Sequence, residues 1–67
     1  MKIDCNKIEI LQAKAGMTGA QVAEAAGISR QFFSTIKNRG TCRPSSALVI
    51  ANALGVDVTE IMEETKQ

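Results

Sequence analysis

The sequence predicts a small all-α domain of five short helices. Three observations predict it. Helix start and stop signals recur at short, regular intervals along the chain. No segment alternates apolar and polar residues over six positions with β-branched enrichment, as a half-buried strand would. The chain is 45% apolar with only two aromatics, Phe32 and Phe33, so its core has to be assembled from aliphatic side chains and alanine. At 67 residues it is long enough for one domain, residues 1–67, and near the low end of what folds alone.

Each element has its own signals. Asp4 is placed to cap a first helix that carries Ile8 and Leu11 on one face and stops at Gly16. Thr18 opens a second, with Gln21 at the third position. This Thr-x-x-Gln spacing makes a capping box, and Val22, Ala23 and Ala26 face inward before Gly27 ends the helix. Ser29 caps a third helix, from Arg30 to about Asn38, which buries Phe33 and Ile36 and closes at Gly40. Pro44 or the serines after it open a fourth, whose Ala47, Ile50, Ala51 and Leu54 follow the i, i+3, i+4, i+7 template up to Gly55. Asp57 and Glu60 form a D-x-x-E cap for a short fifth helix containing Ile61 and Met62.

Several function classes are excluded or disfavoured. No apolar run approaches the roughly 18–20 residues that span a bilayer, and no secretory signal follows the N-terminus, so a cytoplasmic protein is expected. Without histidine, and with only Cys5 and Cys42 as thiols, neither a zinc site nor a disulfide framework is expected. No cofactor is expected either. Histidine acid–base chemistry is excluded and no paired acids or nucleophile–base spacing stands out, so the chain does not read as an enzyme.

The net charge of +1 conceals an asymmetry. Residues 1–24 balance to zero, and residues 25–56 carry Arg30, Lys37, Arg39 and Arg43 with no acid. Residues 57–67 carry Asp57, Glu60, Glu63 and Glu64 against Lys66. A basic middle with an acidic end fits either a solvated turn or a surface for a polyanion.

Residues 18–38 carry the functional signal. Two short helices joined by so tight a turn cannot pack antiparallel; they fit a helix-turn-helix, with Ala23 and Gly27 letting the axes approach. The second of them leaves Arg30, Gln31, Ser34, Thr35, Lys37 and Asn38 outside. Arg pairs with guanine and Gln with adenine in bidentate fashion, so this helix has the vocabulary to read a major groove.

Here the sequence resembles the phage-repressor and Cro-like (XRE-type) helix-turn-helix proteins. The resemblance is carried by Gly16-Met17-Thr18, Val22-Ala23-Glu24, Gly27-Ile28-Ser29-Arg30, Ile36-Lys37-Asn38 and Ile50-Ala51-Asn52-Ala53-Leu54-Gly55-Val56, and covers about residues 8–62. It implies a five-helix, lambda-repressor-like fold, base reading by Arg30, Gln31, Phe32 and Thr35, and backbone anchoring near Thr18 and around Asn38. The chain departs from the family at Gly19, where a phosphate-binding Gln is usual. It departs again at Gln12 and Lys37, where many members pair an arginine with a glutamate; with both changed, Lys37 is expected to be available to DNA. The turn Asn38-Arg39-Gly40 is one residue longer than the common Asn-Gly.

Alternatives stand beside several of these residues. Arg30 reads a base, clamps a phosphate or is a plain surface charge. Phe32 folds back on the second helix or meets a thymine methyl. Thr18 caps its helix and can bind phosphate as well, while Arg39 and Arg43 are phosphate contacts or solvated loop charges. The expected function is a sequence-specific transcriptional regulator on double-stranded DNA, a repressor of a phage, mobile-element or small bacterial operon. An antitoxin or adaptor working through protein contacts is the rival, and residues 63–67 are too few to wrap such a partner. No membrane or small-molecule effector is expected. A homodimer on an inverted-repeat operator is, through Leu48, Val49, Val58 and Met62.

Overall fold

The computed structural model describes residues 1–63. Four α-helices follow one another: α1 (Cys5–Ala15), α2 (Gly19–Ala26), α3 (Arg30–Arg39) and α4 (Pro44–Leu54), and then a single 3₁₀ turn, Val58–Glu60. Among the described residues no helix is long and apolar enough to cross a membrane.

The caps explain the boundaries. The Asp4 carboxylate accepts from the backbone N–H groups of Asn6 and Lys7, at 2.9 and 3.3 Å. The α2 box is complete: Thr18 Oγ1 accepts from Gln21 N at 3.1 Å, and Gln21 Oε1 from Thr18 N at 2.8 Å. Ser29 Oγ accepts from Phe32 N at 3.0 Å. Only α4 opens without such help, since Arg43 at its cap makes no side-chain capping bond and Pro44 supplies the preset φ instead.

The core is aliphatic, with one ring. Ile3, Ile8, Val22, Ala23, Phe33, Ile36, Ala47, Ile50, Ala51, Leu54 and Ile61 are all buried. The fully buried alanines Ala23, Ala47 and Ala51 end at Cβ, so α2 and α4 can lie close, and this is the most extensive helix pairing of the fold. Burying aliphatic side chains of this size stabilises by about 1.5–3 kcal/mol each, before the ordering entropy is subtracted.

Two expectations need correcting. The fifth helix is one 3₁₀ turn, and Ile61 and Met62 lie beyond it. Its Asp57 accepts from the amide and hydroxyl of Thr59, both at 3.0 Å, which holds the carboxyl below the usual aspartate range. The turn does not lengthen because Glu63 N, whose one proton would carry a helix on to the Thr59 carbonyl, donates instead to Lys2 O at 3.2 Å. Gly27, in turn, is not there to bring axes together. Nothing lies within 4 Å of where its Cβ would be, and its φ of 75° is the left-handed conformation that ends α2.

The first residues have a role that no local pattern reports. Met1–Asp4 run between the exit of α3 and the segment after the 3₁₀ turn. Ile3 N donates to Gly40 O at 2.9 Å, Cys42 N to Met1 O at 3.0 Å, and Glu63 N to Lys2 O at 3.2 Å. Two isolated antiparallel bridges result, Lys2 with Thr41 and Ile3 with Met62. The acidic C-terminal run continues to Glu64, which lies outside the described residues.

Candidate nucleic-acid interface

The turn between α2 and α3 is fixed at both ends. Ile28 N donates to Ala23 O at 3.0 Å and Phe33 N to Ser29 O at 3.0 Å. The half-buried Ile28 packs on the core between them. With Phe33 and Ile36 buried, α3 is anchored along one stripe and presents the rest of its circumference outward.

That outer face holds Arg30, Gln31, Ser34, Thr35 and Asn38, all exposed, and no acid lies in the first turn of α3. Thr35 Oγ1 donates to Gln31 O at 2.9 Å, which spends its proton inside the helix and turns the hydroxyl into an acceptor for anything outside. Thr18 has the opposite polarity. Its oxygen accepts from Gln21 N, so its proton points outward at a helix N-terminus, where an anionic oxygen is favoured.

Phe32 is 44% exposed, whereas the Phe33 ring reaches the start of α2, 3.7 Å from where a Gly19 Cβ would sit. Phe32 lines instead a shallow groove with Thr35 and Arg39 on one wall and Thr41, Arg43 and the opening turn of α4 on the other. The groove brings Arg43, just before α4, beside Arg39 at the end of α3. Cys42 also lines it, and partial burial pushes its thiol up from the ordinary value, so it stays protonated there. Ser45 and Ser46 belong to this wall and had not been singled out; Pro44 at the first helical position was the available signal for them.

Lys37 differs from the other basic residues of the segment, Arg30, Arg39 and Arg43, which are all exposed. It is half-buried, with Nζ 3.7 Å from Glu9 Oε1 on α1 and 5.3 Å from the centre of the Phe33 ring. The signal was present, since position 37 lies four residues after the buried Phe33 and therefore beside it on the helix.

Of the residues expected at a dimer face, Leu48 is 50% exposed, Val49 and Met62 are half-buried, and Val58 packs partly against the core. Among the described residues no group of three or more His, Cys, Asp or Glu could hold a metal ion.

A family model for the Cro/C1-type HTH DNA-binding domain matches residues 7–67. No curated protein and no solved structure matches the chain. The match spans the capped α2, the left-handed turn at Gly27 and the outward-facing α3, and the chain belongs to the Cro/C1-type helix-turn-helix DNA-binding family.

Proposed function

We propose that the protein is a sequence-specific transcriptional repressor of a phage, mobile-element or small bacterial operon, working in the cytoplasm as a homodimer on an inverted repeat. Arg30, Gln31 and Thr35 read base edges in the major groove, Phe32 meets a thymine methyl, and Ser34 and Asn38 support them at the groove edge. Thr18, Arg39 and Arg43 hold the phosphate backbone on either side.

The observation that carries this reading is the outer face of α3: polar and basic side chains, all exposed, on a helix whose opposite stripe is locked into the core. A helix held this way presents its readers without flexing, which is what base discrimination requires. The acid-free run from residue 25 to residue 56 removes the repulsion a polyanion would otherwise meet.

Binding of a duplex, followed by fluorescence anisotropy at several salt concentrations, tests it. With about three or four phosphates neutralised per subunit, log K against log salt falls with a slope near −3 per subunit. A response flat in salt overturns the reading.

A further inference from the structure

We propose that Lys37 is a positioning residue: by pairing with Glu9 it ties the C-terminal half of α3 to α1 and sets the angle at which α3 meets DNA, without touching DNA itself. The inference rests on the DNA-binding reading above and changes the role of one residue within it.

Lys37 sits at the edge of the outer face rather than at its centre, about 20° round the helix from Arg30 and two turns further along. At 3.6 residues per turn, Phe32 and Lys37 flank the buried Phe33–Ile36 stripe on its two opposite edges, about 70° either side of its centre. Phe32 leans toward the groove beside the α3–α4 loop. Lys37 leans toward α1, its side chain 24% exposed, its stem beside the Phe33 ring and its ammonium at Glu9. Its backbone is held from the same side, since the Cys5 thiol donates to the Lys37 carbonyl. Both ends of one residue of α3 are thus engaged by α1.

The consequence follows from how the helices otherwise pack. α1 rests mainly on α4, and α3 mainly on α2; the Glu9–Lys37 pair and the Cys5 thiol tie α1 to α3 directly. Reaching a phosphate would require Lys37 to leave a carboxylate and an aromatic face together. With the pair intact, α3 is pinned at its start by the Gly27–Ser29 turn and near its end by α1.

A charge exchange decides the matter, because swapping Glu9 and Lys37 leaves the net charge unchanged. Lys37→Glu alone should weaken binding to a selected operator about tenfold or more. Adding Glu9→Lys should return affinity to within about threefold of the wild type. If Lys37 touches phosphate instead, its replacement by a carboxylate cannot be repaired from α1, and a double variant as weak as the single overturns the proposal.

Lys37→Met, which keeps the apolar stem over Phe33, gives a second reading. It should weaken binding two- to fivefold with the salt slope unchanged, whereas a lost phosphate contact lowers the slope by about 0.9. A wild-type chain that binds no duplex would sink the DNA reading. The tether is then read from backbone amide spectra without DNA: Lys37→Glu should shift the resonances of Phe33–Arg39 and Glu9→Lys should return them. Failure to return overturns the tether.

Discussion

Gln12 sits on the inner side of α1 with its Oε1 buried and without a hydrogen-bond partner among the described residues. An unpaired buried amide oxygen costs about 1–3 kcal/mol, more than most single contacts return. Gln12→Met keeps the length of the side chain and removes that oxygen, so it should raise stability by about 1 kcal/mol, read as a later midpoint in urea with an unchanged m value. The outward residues make a different kind of prediction. Arg30→Ala and Gln31→Ala should relax discrimination by roughly 1–3 kcal/mol at particular operator positions, while Arg39→Ala should weaken all sequences alike and lower the salt slope by about 1. Binding measured on a panel of single-base operator variants separates the two patterns. At this scale the sequence was legible wherever side-chain character decides position: Phe33 and Ile36 go in, Gln31 and Asn38 go out. Lys37 was not legible in the same way, because its long apolar stem can border a core while its charge finds a partner on another helix. Glu9 could not be named as that partner without the fold.

The helices themselves were legible because their ends are written locally. Asp4, Thr18 and Ser29 accept the bonds their spacing anticipates, and glycine closes each of the four. α4 is the exception that couples stability to function. Its cap position holds Arg43, which caps nothing but faces the groove beside α3. Arg43→Ser supplies a capping hydroxyl and removes a cation. The variant should gain about 1 kcal/mol, a rise of roughly 4–8 °C in melting temperature, and lose DNA affinity at every sequence. A variant that gains stability and binds as before would show that Arg43 is only a loop charge. The 3₁₀ turn was misread as a helix because D-x-x-E states where a helix can begin. Its length is settled elsewhere, by the carbonyl of Lys2 that takes the Glu63 amide, and no local pattern reports that.

For the molecule as a whole, the charge asymmetry was legible from composition, whereas assembly depends on surfaces that composition does not describe. A single short helix reads only a few base pairs, too few to select one site in a genome, so a two-fold pair is expected on physical grounds. Leu48 is the exposed member of the patch assigned to that pairing, with Val49 half-buried near it on α4. Wild type should sediment as a dimer at micromolar concentration, alone or on a duplex with two half-sites, and Val49→Glu should sediment as a monomer. A wild type that stays monomeric in both conditions ends the dimer reading.

Ile3 is buried, its amide bonds Gly40, and the amide of Asp4 bonds Ile61. Synthesis begins at the opposite end of that relationship. Ile3 leaves the ribosome well before Gly40 and Ile61, so none of the helices made in between can close the core on its own. Long-range closure of this kind is a late event in folding. α2 and α3 are therefore both made before Ile61, and the last piece of the core to arrive is the one that ties the first residues down.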